Sequence, residues 1–368
     1  MTGGPPLRIG VFSATLPTPD RKPGGVDVMI HRIADALARR GQDVTVISYD
    51  PKPAGAAYRH ELLAPAHLAH RRATRMLVLP WLWHRAGASR FDVVHLNGDD
   101  WFWFPRRVPT VRTFHGSALQ EARTATSLKR RLSQYLVFAF ELLASRLATT
   151  SFASGAGHGC EVYGVRGALT CGVDVAAGRP ADRARRSAAP AILFVGTWEG
   201  RKRGSLLADA FARDVRPQFP DAQLWMVSDR AEERPGVQWF DRPDDGQVRD
   251  LYDRATVFCL PSSYEGLGIP YIEAMASGVP VVTTPNPGAA FVLENGSAGR
   301  IVDDRDLGRA LTALLGDAEQ RAALVAAGHA RAEHFSWDAV CAAHLTAYRE
   351  AIARGRASGR NRRPRDVA

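Results

Sequence analysis

Residues 256–278 read TVFCLPSSYEGLGIPYIEAMASG, and this stretch sets the fold class of the chain. Thr256–Leu260 is a short apolar run of the kind found in buried strands. Pro270 suits the first turn of a helix and Gly278 its end, so the pattern predicts a helix over Pro270–Ser277. A strand, a glycine-containing loop and a helix in this order form the repeating unit of a parallel α/β sheet.

The same unit recurs in both halves of the chain, which predicts an α/β fold with two doubly wound domains facing a central cleft. In the first half, the predicted strands are Leu7–Phe12, Val44–Ser48, Val93–Leu96, Thr110–Phe114 and Thr149–Ser151, with helices over Val26–Arg39 and Ser127–Leu147. In the second half, they are Ala191–Val195, Leu224–Val227, Val237–Phe240, Thr256–Leu260 and Val281–Thr283. Helices are predicted over Ser205–Ala212, near Gln247–Arg254, over Pro270–Ser277, and after Val281–Thr283 to about residue 352.

The boundaries follow from composition. Val175–Pro190 is rich in Ala, Arg and Pro and has no apolar period, as expected of a linker. We therefore predict a first domain over 1–170, a linker over 171–190 and a second domain over 191–345. Residues 346–352 are predicted to be a C-terminal helix that returns to the first domain, and the Arg-rich residues 353–368 a basic, disordered tail.

Composition and charge exclude several classes of protein. The 368 residues are 45% hydrophobic, and no run of about 18 apolar residues is present, so neither disorder nor a spanning helix is expected. The four cysteines are far apart, which favours reduced thiols over a disulfide framework or a zinc site. Without a signal-peptide pattern at the N-terminus, we expect a cytoplasmic protein.

The net charge of +10 is unevenly distributed. Residues 1–170 have 22 basic and 12 acidic side chains, whereas 171–352 have 20 and 25, giving +10 and −5. Residues 353–368 contain six Arg and one Asp, which adds +5. The excess therefore points to an anionic acceptor or a membrane surface for the first domain, or to nucleic acid. No helix-turn-helix, zinc-finger or RNA-binding motif supports nucleic acid.

The loop Glu265–Glu273 carries the clearest chemistry. Gly266 and Gly268 expose backbone N–H groups just before a helix N-terminus, an arrangement suited to phosphate. Glu265 and Glu273 would repel phosphate, so hydroxyls of a sugar or a ribose are their expected partners. The alternative is structural: Glu273 favours the helix N-terminus electrostatically and Glu265 is solvated.

A second candidate is the cationic run Arg201, Lys202 and Arg203, which follows the strand Ala191–Val195 and precedes a helix. Consecutive cations at that place form a plausible diphosphate clamp, with a solvated basic loop as the alternative. Lys202 is the first choice for the phosphate contact, Arg203 the second, and Arg201 a third cation.

Two further candidates end strands or begin helices in the first domain. Gly25, in the loop after the first strand, permits close backbone approach by a ligand. His115 ends the strand Thr110–Phe114, where a neutral imidazole can hydrogen-bond a sugar hydroxyl or the acceptor. His95 is the competing histidine, and Asn97, Asp99 and Asp100 follow it as candidate acceptor contacts.

The block YEGLGIPYIEAMASGVPVV, with its E-x7-E spacing, resembles the retaining glycosyltransferases of family 4, which have two Rossmann-like domains in a GT-B fold. The match is dense over residues 255–290 and looser over nearly the whole chain. The resemblance implies that 1–170 binds the acceptor and 191–345 binds a nucleotide-diphosphate sugar, most simply a UDP-sugar. It implies transfer to an acceptor hydroxyl with retention of anomeric configuration.

The resemblance also implies residue roles. Glu265 contacts the donor sugar, Glu273 binds the ribose, and the amides of Gly266, Leu267 and Gly268 hold the diphosphate and sugar. Gly25 matches a glycine pair of the family, and His115 matches its histidine near the transferred sugar. The chain departs from the family at Thr197, where an Arg is usual, and Arg201 is a candidate replacement.

Alternatives remain for function and location. A sugar-nucleotide epimerase of the same architecture is the rival enzyme, and a basic nucleic-acid-binding protein the rival of another class. Asp304-Arg-Asp306 is interpreted as helix capping rather than metal binding, so no metal and no cofactor are expected.

The acceptor is expected to be anionic, lipid-linked or a small glycoside. Lipid contact is suggested by an aromatic and basic stretch and by the helix that follows it, namely Arg71, Arg72, Arg75, Arg85, Arg90, Trp81, Trp83, Lys129–Arg131 and Leu136–Leu143, with core packing as the alternative.

Overall fold

A computed structural model describes residues 5–18, 24–63, 87–98, 100–101, 107–125, 127–157, 159–175, 187–230 and 232–357. The chain divides into two compact units, Met1–Gly172 with Trp337–Ala368, and Val173–Ser336. No helix in these described ranges is long and apolar enough to cross a membrane.

The first unit is built on a six-stranded parallel sheet with the order β3-β2-β1-β4-β5-β6. β4 and β5 are buried along their whole length, as expected of central strands covered on both faces. The strands are β1 (Arg8–Phe12), β2 (Asp43–Ser48), β3 (Arg59–Leu62), β4 (Val93–Leu96), β5 (Thr110–Phe114) and β6 (Thr150–Ala153), and the helices are α1 (Gly25–Arg39), α2 (Ala118–Thr124), α3 (Leu128–Leu147) and α10 (Trp337–Ala357).

The second unit has its own six-stranded parallel sheet with the order β12-β11-β10-β7-β8-β9. Its strands are β7 (Ala191–Val195), β8 (Gln223–Val227), β9 (Val237–Phe240), β10 (Val257–Leu260), β11 (Val281–Thr283) and β12 (Arg300–Ile301). Its helices are α4 (Gly204–Ala210), α5 (Asp245–Arg254), α6 (Ile269–Ala276), α7 (Pro287–Val292), α8 (Leu307–Gly316) and α9 (Ala318–Ala332), and α4 continues as a π-helical segment, Phe211–Val215.

The doubly wound α/β fold is confirmed in both units. In each sheet the order reverses beside the first strand of the unit, between β1 and β4 and between β7 and β10. Loops on either side of such a reversal diverge and leave room for a ligand at the carboxyl ends of the strands.

The elements that sequence patterns missed are short or polar. β3 is a sheet edge with the sequence RHEL, which has no apolar run, and β12 has two residues. α7 lies within the stretch after Val281–Thr283 where helices are expected, and Asn286 as its N-cap and Pro287 in its first turn mark its start.

The C-terminal boundary differs from the expectation. α10 is one continuous helix from Trp337 to Ala357 and groups entirely with the first unit, so 337–345 do not lie in the second unit. Val340, His344 and Tyr348 are buried at helical spacing, and this stripe packs the helix on the first unit. Residues 353–357 are helical rather than part of a disordered tail, and 358–368 lie outside the described residues.

Candidate active site

Glu265 and Lys202 meet at the strand-order reversal of the second unit. Lys202 lies in the loop after β7 and Glu265 in the loop after β10, and these two strands are neighbours. Lys202 Nζ donates to Glu265 Oε1 at 2.5 Å. The two residues that the sequence singled out on separate loops therefore form one ion pair.

Glu265 is only 5% exposed, and a second donor also bonds its carboxylate. Ser262 Oγ donates to Glu265 Oε1 at 2.7 Å. Gly288 N donates to the Glu265 carbonyl at 2.9 Å, and a Cβ on Gly288 would lie 2.7 Å from Glu265 Cβ. A glycine is therefore needed at position 288 for α7 to begin against Glu265.

The three residues after Glu265 present backbone N–H groups. The amides of Gly266, Leu267 and Gly268 make no hydrogen bond to any part of the chain that the structure describes. Gly268, the N-cap of α6, has φ 83°, and a Cβ there would lie 2.5 Å from Tyr271. Only glycine fits that position, which orients the amides and the helix start as an anion site requires.

Glu273 lies on α6, half-buried, and accepts a hydrogen bond from Tyr252 Oη on α5 at 3.3 Å. Burial raises the pKa of Tyr252 well above its ordinary value, and the Glu273 carboxylate raises it further. Tyr252 therefore stays protonated and donates, which holds Glu273 in a defined orientation.

The structure separates the three consecutive cations. Arg201 is exposed, and its guanidinium makes no hydrogen bond or ion pair with another described residue. Lys202 pairs with Glu265, whereas Arg203 turns the other way because its backbone is left-handed, with φ 56°. The Arg203 guanidinium donates to Pro261 O at 2.7 Å, Thr284 Oγ1 at 2.8 Å and Asp304 Oδ2 at 2.7 Å.

Arg203 thus braces the loops that follow β10 and β11 and the segment after β12. Asp304-Arg-Asp306 lies at a helix start as expected, and Asp306 is the N-cap residue of α8, but its side chain makes no capping hydrogen bond. Asp304 instead accepts from Arg203, and Asp306 accepts from Arg309 on α8. The carboxylates of Asp304 and Asp306 therefore form ion pairs rather than capping hydrogen bonds.

His115 belongs to the first unit, where a hydrogen-bonded chain defines its tautomer. Asn97 Nδ2 donates to Phe12 O at 3.2 Å, so Asn97 Oδ1 faces His115 Nε2 at 3.1 Å. Nε2 must carry the proton, which leaves Nδ1 as an acceptor, buried and without a partner in the described ranges. Burial lowers the pKa of His115 to about 4, with a contribution from the Arg112 charge, so the ring is neutral at pH 7.

The other candidates in the first unit have structural partners. His95 is buried between Tyr348 Oη and Thr113 Oγ1, each at 2.8 Å, so it is not an open ligand site. Asp100 is 1% exposed and pairs with Arg112, which excludes it as an exposed acceptor contact. Asp99 lies outside the described residues. Gly25 begins α1, and a Cβ there would meet nothing within 4 Å.

Sequence reasoning missed the residues that pack against Glu265 and support its loop. Ser262, Asn286 and Gly288 form this support: Asn286 Nδ2 donates to Ser262 O at 3.1 Å, and its Oδ1 accepts from Ala289 N. The asparagine–proline pair before α7 was the only available signal. Within the described part of the chain, no three His, Cys, Asp or Glu side chains are grouped to hold a metal ion.

The chain is similar in sequence to known glycosyltransferases. Residues 189–317 match the family described as Glycosyl transferases group 1, and residues 23–154 match Glycosyltransferase Family 4. The phosphatidyl-myo-inositol mannosyltransferase of Mycobacterium leprae is 27% identical over 367 residues, covering 89% of this chain and 93% of that protein. The O-antigen chain mannosyltransferase B of Escherichia coli is 31% identical over 173 residues, covering 43% of this chain and 45% of that protein.

Solved structures share the fold. Sucrose-phosphate synthase from Thermosynechococcus elongatus has a TM-score of 0.70 at 20% identity, covering 94% of this chain and 99% of that chain. Anabaena HepE in complex with UDP has a TM-score of 0.70 at 16% identity, covering 94% and 100%. With two doubly wound units and family matches in both halves, the chain belongs to glycosyltransferase family 4 and is a glycosyltransferase of GT-B fold.

Proposed function

We propose that the enzyme transfers a sugar from a nucleotide-diphosphate sugar to an acceptor hydroxyl with retention of anomeric configuration. The observation that carries this proposal is the meeting of Lys202, Glu265 and the unbonded amides of 266–268 at one sheet edge. A cation and free amides suit a diphosphate, and an adjacent carboxylate suits a sugar hydroxyl.

Each part of the donor has a candidate partner. Lys202 and the amides of Gly266, Leu267 and Gly268 contact the diphosphate, and exposed Arg201 adds a cation in place of the Arg missing at Thr197. Glu273 binds the ribose hydroxyls and Glu265 the transferred sugar. Arg203 acts by holding the loops, because its guanidinium is occupied by Pro261, Thr284 and Asp304.

The reaction breaks the bond between the anomeric carbon and the diphosphate oxygen and forms one to the acceptor oxygen on the same face. Negative charge grows on the departing diphosphate, where Lys202 and the amides stabilise it without a metal ion. The departing phosphate oxygen takes the proton of the acceptor hydroxyl. Glu265 orients the sugar rather than attacking it, and Lys202 and Ser262 hold its Oε1 in place.

His115 serves as a neutral hydrogen-bond acceptor for a hydroxyl of the donor sugar or the acceptor. Of the two ring nitrogens of His115, Nδ1 has no partner among the described residues. The pKa of about 4 keeps the ring neutral at pH 7.

For the substrates, we propose a hexose donor with UDP as the first nucleotide to test. The names of the mannosyltransferase relatives support a hexose, and the UDP complex of HepE supports a nucleotide diphosphate. The lipid in the name of the Mycobacterium leprae relative supports an anionic lipid acceptor, in keeping with the +10 charge of residues 1–170.

A thermal-unfolding panel of UDP, GDP and ADP and their hexoses tests donor binding directly. A ligand at 100 times its Kd stabilises the native state by about 2.7 kcal/mol, which raises Tm by several degrees. Proton NMR of the product made with the stabilising donor then reports the anomeric configuration. No stabilisation by any nucleotide, or an inverted product, would contradict the proposal, and an epimerised donor formed without acceptor would favour the epimerase.

A further inference from the structure

The first three turns of α3 expose apolar side chains. Of the eight large hydrophobic residues that are exposed in the described ranges, four lie here. Leu128 is 67% exposed, Leu132 62%, Leu136 54% and Tyr135 43%. Ala139, one turn further along, is also exposed. So concentrated an apolar surface marks a site of interaction rather than scattered surface leucines.

These side chains form one stripe with a cation on either side. At about 100° per residue, Leu128, Leu132, Tyr135 and Leu136 span roughly 100° of the helix surface. By the same spacing, Lys129 lies at one edge of the stripe and Arg131 beyond the other. Arg130 projects from the opposite side of the helix, where it pairs with Glu121 at 3.7 Å.

The cations at the start of α3 are unfavourable for the helix itself. The first turn contains no acidic residue, although Lys129–Arg131 lie at the positive end of the helix dipole. Ser127 Oγ caps the helix by accepting from Arg130 N at 3.2 Å, which is an uncharged contribution. An anionic surface beside the first turn would relieve this repulsion.

The rest of α3 is anchored. Phe138 and Leu142 pack against the core cluster of Phe114, Ala153, Cys160 and Tyr163. Core packing therefore accounts for part of the apolar stretch Leu136–Leu143, and it leaves the stripe at the start of the helix outside the core. The second half of α3 is therefore packed against the core, whereas the first half exposes its apolar side chains to solvent.

We infer that the stripe of Leu128, Leu132, Tyr135 and Leu136, flanked by Lys129 and Arg131, docks the enzyme on an anionic lipid surface. Apolar side chains enter the boundary of the headgroups while flanking cations contact lipid phosphates. A second copy of the same face fits less well, because a symmetric contact would bring cations against cations. Residues Arg71, Arg72, Arg75, Arg85, Trp81 and Trp83 lie outside the described residues and carry no part of this inference.

Co-sedimentation of the full chain with vesicles tests the inference without any donor, so its failure is separable from failure of the proposed transfer. Vesicles of phosphatidylcholine alone are compared with vesicles that also contain phosphatidylglycerol. Wild type is expected to bind only the anionic vesicles. K129Q/R131Q lowers the partition coefficient about 30-fold, since each cation near an anionic surface contributes roughly fivefold. L132Q/L136Q lowers it at least tenfold.

Arg130→Gln is the matched control, because it removes one cation from the same turn on the opposite side of the helix. It is expected to retain binding within about threefold. All five substituted side chains are exposed, and circular dichroism checks that each variant is folded. The inference is overturned if wild type does not bind anionic vesicles, if L132Q/L136Q binds as wild type does, or if R130Q falls as far as K129Q/R131Q. A wild-type dimer that L132Q/L136Q converts to a monomer would instead assign the face to a second copy.

Discussion

The buried pair of Lys202 and Glu265 is the central feature at the scale of single residues. Removing two charges from water is unfavourable, and a buried ion pair is seldom the most stable solution for a core. Here the pair lies at the end of two neighbouring strands beside unbonded amides, so it is better explained by ligand binding than by stability. A diphosphate would compete with Glu265 for the Lys202 ammonium.

Glu265→Gln and Glu273→Ala should separate the two roles of the E-x7-E carboxylates. Glu265→Gln keeps the shape of the side chain and removes its charge, so kcat should fall by about two orders of magnitude. In the proposed role, Glu273 contacts the ribose equally in the ground and transition states, so Glu273→Ala should mainly raise the donor KM. Steady-state kinetics in both substrates checks this. Wild-type turnover in both variants would sink the assignments.

Asn97→Asp should move the acid limb of the pH–rate profile. In wild type, His115 is neutral above a pKa of about 4, so loss of activity through its protonation begins near that pH. A carboxylate at position 97, in hydrogen-bond contact with Nε2, favours the imidazolium and raises the His115 pKa. The fall in kcat should therefore begin at a higher pH. If Asn97 has only a structural role, Asn97→Asp should lower the activity without moving the acid limb of the pH–rate profile.

At the scale of elements, short helices and loops make the site rigid. α7 has six residues, yet its N-cap Asn286 also donates to Ser262 O and Thr284 O. Arg203 adds a brace from the loop after β7 to the same region. Several loops at the carboxyl ends of β7, β10 and β11 are therefore held together before any donor binds, which is the preorganisation that transition-state stabilisation requires.

Gly288→Ala should damage the site through Glu265. The added Cβ would lie 2.7 Å from Glu265 Cβ and 2.8 Å from its carbonyl oxygen, so either α7 or Glu265 must shift. We expect a loss of about 1–3 kcal/mol in stability and a larger relative loss in kcat. Chemical denaturation and kinetics measure both. Gly167→Ala, where a Cβ meets nothing within 4 Å, is the control and should change neither.

At the scale of the whole molecule, α10 carries the chain from the second unit back to the first. Its inner face places His344 and Tyr348 beside His95, in a buried polar cluster. Burial lowers the pKa of His344 to about 4 and that of His95 well below its ordinary value. Both rings are therefore neutral in the folded protein at pH 7.

Acid should destabilise the protein through these histidines. Below about pH 6.5, His344 is protonated in the unfolded chain, whereas in the folded protein it stays neutral down to about pH 4. The free energy of unfolding therefore decreases as the pH falls through this window. For His344 the loss between pH 7 and 4.5 is about 2 kcal/mol. His344→Leu should reduce the measured drop in the free energy of unfolding by that amount. Substitution of the exposed His334 in His334→Gln should leave this drop unchanged. An equal drop in wild type, His344→Leu and His334→Gln would refute the explanation.

Local patterns in the sequence predict the fold class, most strand positions and the main candidate residues. Apolar periodicity and helix start and stop signals are local, so β4, β5, β7, β9 and β11 lie where the pattern predicted them. For the same reason, the glycines of residues 265–273 predict an anion site and the two carboxylates predict contacts with hydroxyls. The polar edge strand β3 and the short β12 were missed because pairing with a neighbour, not local pattern, makes them strands.

The neighbours of each side chain depend on how the chain folds. Arg201, Lys202 and Arg203 are equivalent in sequence, yet one is exposed, one meets Glu265 and one braces Asp304. The same holds for His95 and His115, which differ in whether a partner occupies the second ring nitrogen. Partners distant in the chain, such as Gly288 behind Glu265, are set by how strands are ordered in the sheet. Sequence spacing fixes which residues share a loop, and long-range packing fixes which loops meet.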